Sequence, residues 1–211
     1  MQSVGVRNLK RSFIIIIIGI LCITAAVTLT GYNLFTDSMA GESSRQALEE
    51  IIVEAQDNQQ ITENQNVTPD YLINPEMDMP KIEVNQNYYI GYLQIPSLNL
   101  ELPILSELSY DNLNIAPCRY KGSAYLDNMI IAAHNYQSHF GTLSELSLGD
   151  EIIFTDIDGN IFLYEVADFE NLRGTQVEDM LNSDWELTLF TCTYGGASRV
   201  TVRCKKIETV V

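Results

Sequence analysis

The chain has 211 residues, enough for one domain with appendages, and a formal net charge of −16. This charge excludes a nucleic-acid-binding role, because a polyanion would be repelled and no basic stripe is present to neutralise phosphates. Three basic residues, Arg7, Lys10 and Arg11, precede the first long apolar stretch, so the remainder is more acidic still. We therefore expect its exposed part to favour cationic or neutral partners.

The N-terminal sequence predicts a membrane anchor. Residues 13–35 carry no charge and include five consecutive isoleucines, and about 20 apolar residues in a helix span a bilayer core. Basic residues before this run and acidic ones after it predict a cytoplasmic segment 1–12 and an exterior remainder. A cleaved signal peptide is the alternative, because Ser-Met-Ala at 38–40 offers small residues to a peptidase. That site lies well beyond the apolar run, which favours the uncleaved anchor.

Residues 36–87 are predicted to form an exterior helix followed by a polar linker. Within 44–56, apolar residues recur on one helical face, at Ala47, Leu48, Ile51, Ile52 and Ala55. Residues 57–87 are rich in Asn, Gln, Glu and Pro, a composition typical of a spacer that cannot bury enough surface to fold alone.

Residues 88–211 predict an all-β domain. Runs rich in Ile, Leu, Tyr, Val and Thr indicate strands at 88–95, 98–105, 124–133, 151–156, 160–166, 186–192 and 199–207. Asp158-Gly159 indicates a tight hairpin between two of them, and short helical stretches are expected at 142–146 and 176–182. So many short strands predict a closed or nearly closed barrel, which leaves no exposed sheet edges.

Three chemically complementary side chains occur at the ends of these strands. Cys192 follows an apolar run and precedes a Gly-containing turn, Arg199 opens the next strand, and His134 ends another apolar run. A thiol becomes a nucleophile when a nearby cation or base favours the thiolate, and imidazole can both give and take protons at neutral pH. Alternation along the last strand puts Arg199 on the face opposite Val200. His139 lies in mid-loop and is predicted to be structural.

These residues resemble the sortases, the membrane-anchored cysteine transpeptidases of Gram-positive surfaces. The resemblance rests on Thr-Leu-Phe-Thr-Cys at 188–192 with Arg199, on His134-Asn135, and on Gly-Tyr-Leu-Gln-Ile-Pro at 91–96. It extends over residues 88–207. It implies a closed eight-stranded barrel with short helices, at residues 88–211, outside the cell membrane behind a single-pass anchor with a cytoplasmic N-terminus.

The resemblance also implies a reaction. Cys192 would attack a C-terminal LPXTG-like sorting signal of a surface protein, forming a thioacyl-enzyme. Arg199 would hold the substrate and stabilise the tetrahedral intermediate. His134 would protonate the leaving amine and later deprotonate an incoming amine of a peptidoglycan precursor. We expect no cofactor and no metal ligand; residues 156–160 faintly resemble a calcium loop but lack the EF-hand spacing.

Several alternatives stay open at this stage. The same residues would serve a cysteine peptidase that releases its product to water, and a non-catalytic membrane-tethered binding module would leave Cys192 dispensable. Cys118 and Cys204 could form a disulfide in an oxidising compartment. The short segment 167–186, and the lack of a second apolar run or an evident lid, favour a class A-like or class D-like enzyme over classes B and C.

Overall fold

The computed structural model describes residues 3–65, 68–181, 184–193 and 195–207, in two compact units, Met1–Ser38 and Met39–Val211. In the first unit, residues 13–35 are helical. Their large apolar side chains are exposed. This is the one helix in the described part of the chain that is long and apolar enough to cross a membrane.

The helices and strands have the following bounds. The helices are α1 Ser3–Gln65, α2 Asp70–Ile73, α3 Tyr110–Leu113 and α4 Val177–Leu181, with 3₁₀ turns at Pro96–Leu98, Ala124–Leu126 and Leu143–Glu145. The strands are β1 Ile82–Val84, β2 Asn87–Ile95, β3 Leu100–Leu105, β4 Cys118–Lys121, β5 Met129–Ala133, β6 Glu151–Asp156, β7 Ile161–Arg173, β8 Leu187–Cys192 and β9 Ser198–Lys206. The second predicted helical stretch is confirmed as α4, although position 182 lies outside the described residues.

Eight strands close into a barrel, which confirms the predicted fold. The sheet runs β1-β2-β3-β4-β5-β8-β9-β7-β6, and a further pairing of β2 with β6 closes strands β2 to β9 on themselves. The pairs β3–β4 and β5–β8 are parallel and the others antiparallel. All seven predicted strands occur, although the one predicted at 124–133 begins only at Met129, because Ala124–Leu126 forms a 3₁₀ turn. Sequence reasoning missed β4, which is four residues long and irregular in register, and β1, which is three residues long.

Alternating side chains divide β5, β8 and β9 between the barrel core and an outer face. The inward set is apolar and belongs to the main core: Met129, Ile131, Leu187, Leu189, Val202 and Cys204. The outward set contains the predicted site residues and is read from the strand registers: Ile130, Ala132, Thr188, Phe190, Cys192, Arg199, Thr201 and Arg203. The candidate site therefore lies on the outer face of the barrel, beside its core.

The second half of α1 packs against the barrel through the predicted apolar face. Ala47, Leu48, Ile51 and Ala55 are buried in a second core with Tyr89 and other barrel residues. The segment 57–87, predicted to be a polar spacer, does not stand apart from the barrel. Met79 is buried in the main core, and β1 within the same segment pairs with β2. A few apolar residues hold this polar segment against the barrel. The average composition of the segment does not reveal such contacts.

Candidate active site

The parallel pairing of β5 with β8 brings His134 beside Cys192. Ala133 is the register partner of Thr191, and the Thr191 hydroxyl donates a 2.9 Å hydrogen bond to the Ala133 carbonyl oxygen. The residues that follow this pair in the two strands are His134 and Cys192. Both strands run in the same direction, so the imidazole and the thiol emerge at the same end of the sheet.

The antiparallel pairing of β8 with β9 supplies the cation. Cys192 and Arg199 are register partners across the two strands, and directly opposed side chains share one face about 5 Å apart at Cβ. The turn between them contains Gly195 and Gly196 at φ values of 84° and 71°, in the left-handed region that favours glycine. The Arg199 guanidinium donates through Nη1 to the Gly196 carbonyl oxygen at 3.0 Å. The turn thereby helps to fix the cation beside the thiol.

All three predicted residues line one cleft of about 420 Å³. Cys192, His134 and Arg199 occupy the part of the cleft at the strand ends. Most of the remaining lining is apolar or aromatic: Leu108, Tyr110, Leu113, Tyr120, Ala132, Leu172, Val177, Met180 and Phe190. A few polar groups at one end of an apolar cleft form the usual arrangement of a site that orients a substrate for reaction.

The environment of His134 favours its neutral form. Burial lowers the pKa of the His134 imidazole below its ordinary value of 6.5, because a partly buried imidazolium loses hydration. Its ring lies 4.9 Å from the Tyr136 ring, centroid to centroid, in a tilted arrangement. At neutral pH the side chain is therefore available as a proton acceptor.

His139 lies in the core and not at the site. It is fully buried, and its Nε2 lies 3.2 Å from the Ser44 hydroxyl of α1. The Ser44 hydroxyl gives its one proton to the Ile115 carbonyl oxygen at 2.7 Å, so it accepts a hydrogen bond from His139 Nε2–H. His139 thus ties α1 to the loop that follows His134.

One wall of the cleft is the segment from the end of β7 through α4. Its residues Leu172 and Met180 pack with Ile130 on the outer face of the barrel. Beneath α4 lies Arg203, which is 1% exposed. Arg203 forms an ion pair with Glu170 at 2.7 Å and donates to the Asp179 carbonyl oxygen at 2.9 Å. This buried cation holds the wall against the barrel.

Sequence reasoning missed the residues that shape the cleft. It proposed the three candidate side chains but not Tyr120, Leu172 or Met180, and it did not predict β4, to which Tyr120 belongs. Their apolar character was visible. They lie on β4, β7 and α4, and they come together only through the long-range pairing of the barrel strands, which no local pattern reveals.

The other two cysteines of the barrel domain are free thiols. Cys118 and Cys204 are both unpaired and buried, so the disulfide alternative is wrong. Burial raises the pKa of the Cys118 thiol to about 12, and it raises the pKa of Cys204 further. Both are therefore poor nucleophiles, whereas Cys192 is partly exposed in the cleft. Among the described residues, no cluster of His, Cys, Asp and Glu is arranged to hold a metal ion.

The comparisons of this chain with known proteins all match one protein family. Residues 93–207 match the family model of the sortase domain. Sortase D of Bacillus subtilis (strain 168) is 28% identical over 180 residues, covering 83% of this chain and 88% of that protein. The crystal structure of Streptococcus agalactiae sortase C1 has a TM-score of 0.51 at 26% identity, covering 58% of this chain and 71% of that one. The structure of a Clostridium perfringens sortase D5 transpeptidase has a TM-score of 0.55 at 19% identity, covering 81% and 99%.

Proposed function

The chain belongs to the sortase family of cysteine transpeptidases that anchor surface proteins, and on that premise we propose that Cys192, His134 and Arg199 are its catalytic residues. The observation that carries this proposal is that the three side chains line one end of the same apolar cleft. Each supplies a different function there: a nucleophile, a proton carrier and a fixed positive charge.

In the first half-reaction, the Cys192 sulfur attacks the scissile carbonyl carbon of the sorting signal. The neutral His134 accepts the thiol proton, consistent with the direction of its pKa shift. The carbonyl oxygen becomes an oxyanion, and the Arg199 guanidinium donates hydrogen bonds to it. As the intermediate collapses, the C–N bond breaks, the imidazolium of His134 protonates the leaving amine, and a thioester to Cys192 remains.

In the second half-reaction, an amine replaces the released peptide. Neutral His134 removes a proton from the incoming amine as its nitrogen attacks the thioester carbonyl. The C–S bond then breaks, and the proton held by His134 returns to the sulfur of Cys192. The new bond is an amide, and the enzyme regains its starting protonation state without an external oxidant or reductant.

The substrate and location follow the family. Sortases act on proteins that bear sorting signals; we infer that this one reads an LPXTG-like pentapeptide and uses an amine of a peptidoglycan precursor. The apolar helix at 13–35 would be a single-pass anchor, with residues 1–12 in the cytoplasm and the barrel outside. Action at the membrane surface would then place the enzyme where lipid-linked wall precursors are found.

Two variants test this proposal against a matched control. The purified full chain in detergent micelles is incubated with a sorting peptide and triglycine, and the products are identified by mass. Cys192→Ala and His134→Ala should lose transfer, the second by about 10²–10⁴-fold, as is typical when a general acid–base group is removed. Cys22→Ala, which removes a thiol from the apolar helix, should retain it.

The outcomes separate the rival functions. Retained transfer in Cys192→Ala would refute the assignment of the nucleophile. If the wild type cleaved the peptide but never joined it to triglycine, a hydrolytic peptidase would be the better description. If it bound peptide without cleavage, the chain would be a binding module.

A further inference from the structure

The unpaired cations of the exterior domain are concentrated around the cleft. Three of the twelve basic residues precede residue 13 and the other nine follow it. Five of these nine form ion pairs with carboxylates: Arg45, Lys81, Arg203, Lys205 and Lys206. The other four have no ion pair among the described residues: Arg119, Lys121, Arg173 and Arg199. In a chain of net charge −16, unpaired cations collected at one place form a local site for an anion.

Two of the four cations line a side groove that continues the cleft. The side groove is lined by Ser106, Glu107, Arg119 and Lys121 and shares Leu108 and Tyr120 with the cleft. Its single carboxylate, Glu107, lies 3.8 Å from Lys81 and so is partly neutralised from outside the groove. The side groove is therefore net positive.

Arg119 is held in place while most of its donors stay available. Its Nε donates to the Ser106 carbonyl oxygen at 3.1 Å, and this is its one side-chain hydrogen bond within the described part of the chain. A guanidinium has five N–H donors in a rigid fork that suits a carboxylate. Lys121 beside it is exposed and adds a second positive charge.

The side groove lies at the end of β5 opposite to His134. Lys121 pairs with Ile130, four positions before His134 on β5, and β4 is separated from β8 by β5 alone. At about 3.3 Å per residue along a strand and about 4.8 Å between strands, the groove is about 16 Å from Cys192, a span of about five extended residues. If the leaving amine of the substrate faces His134, the residues before the scissile bond extend in the opposite direction, toward the side groove.

We propose that the side groove binds an acidic side chain of the substrate polypeptide, about five residues before the scissile bond, through Arg119 and Lys121. The proposal rests on the proposed function of the cleft, since the direction of the peptide follows from the role of His134. It makes Arg119 and Lys121 specificity residues: they select sorting signals preceded by Asp or Glu. A polypeptide is favoured over a phosphate-bearing wall precursor because the acceptor amine approaches from the His134 side.

The test compares three peptides that differ at one place. Each carries the same sorting motif, with Glu, Ala or Lys at the fifth and sixth positions before the scissile bond, immediately ahead of the motif. For the wild-type full chain, kcat/KM should fall in the order Glu, Ala, Lys, by about two- to fivefold per step, the range of exposed charge pairs. The difference should lie mainly in KM and shrink as salt is added.

Charge reversal supplies the decisive variants. Lys121→Glu should abolish the preference for the Glu peptide over the Lys peptide or invert it. The matched control is Arg45→Glu, the same charge change on α1, which should keep the wild-type order. Arg119→Lys should retain part of the preference, and Arg119→Gln should lose more of it.

Each outcome decides between the proposals. No cleavage of any of the three peptides would remove the proposed function itself. Cleavage of all three peptides at equal rates, or a Glu preference that survives Lys121→Glu combined with Arg119→Gln, would overturn the groove proposal alone. A charge effect that appeared only in the transfer step with a phosphate-bearing acceptor would also overturn it, since the anion would then belong to the acceptor.

Discussion

Replacement of Arg203 by alanine should destabilise the barrel and the cleft wall together. Arg203 is 1% exposed, and its guanidinium contacts three elements: Glu170 on β7 at 2.7 Å, Thr188 on β8 at 3.0 Å and the Asp179 carbonyl of α4 at 2.9 Å. Breaking a buried ion pair by removing one partner costs about 3–5 kcal/mol. Glu170 is 35% exposed and can regain water, so we expect a loss near 3 kcal/mol in the free energy of unfolding.

The chain has a single tryptophan, which makes the measurement direct. Trp185 lies just before β8, with Lys205 Nζ 4.9 Å from its ring centroid, so its fluorescence should report unfolding of this region. With a urea slope of about 2 kcal/mol per molar, a 3 kcal/mol loss lowers the midpoint by about 1.5 M. KM for the sorting peptide should also rise, because α4 and the cleft wall lose their anchor.

A surface ion pair provides the control for Arg203. Lys206 Nζ lies 2.6 Å from Asp127 Oδ1, and the two side chains are 34% and 44% exposed. Exposed ion pairs contribute about 0–1 kcal/mol to stability. Lys206→Ala should therefore shift the midpoint by no more than about 0.5 M. If Arg203→Ala and Lys206→Ala shifted it equally, or if Arg203→Ala raised KM without loss of stability, the reasoning from burial would be refuted.

Three further predictions concern the thiols and the histidines. A thiosulfonate should label Cys192 before Cys118 and Cys204 in the folded chain, because the latter two are buried with raised pKa values; mass spectrometry of peptides that found either one labelled first would contradict this. His139→Ala should cost about 2–4 kcal/mol through a lost buried side chain and hydrogen bond, and a melting temperature equal to that of the wild type would disprove it. The pKa of His134 is lowered in the folded chain, so the unfolded chain binds this proton more readily and stability should fall as pH drops below 6.5. Measured by urea midpoints, His134→Gln should lose less stability than the wild type between pH 8 and pH 5. Equal losses in the two proteins would refute this prediction.

The fold was predictable from sequence wherever strands alternated regularly or followed buried runs. β6 was predicted with its observed bounds, and β8 within one residue. β4 was missed because it is short and its register shifts between Arg119 and Lys121, which breaks the two-residue period. β7 continues seven residues beyond its predicted end at 166, because pairing with β9 extends a polar strand that local composition does not favour.

The presence of a thiol, an imidazole and a guanidinium in one cleft was predictable from the sequence, but the surroundings of the cleft were not. Alternation correctly put Arg199 on the face opposite the core. It could not show that α4 covers this face and buries Arg203. A charged residue at an outward position is ordinarily solvated, and only the return of a distant segment over the sheet changes that.

Cys192 should carry the substrate as a thioester, and mass spectrometry of the acid-quenched enzyme tests this most directly. The full chain is mixed with a sorting peptide, quenched in acid within seconds, digested and analysed. We predict a mass increase equal to the acyl part of the peptide on the fragment containing Cys192, absent in Cys192→Ala and lost on addition of triglycine. Turnover without any adduct on Cys192, or an adduct on Cys118 or Cys204 instead, would contradict the account.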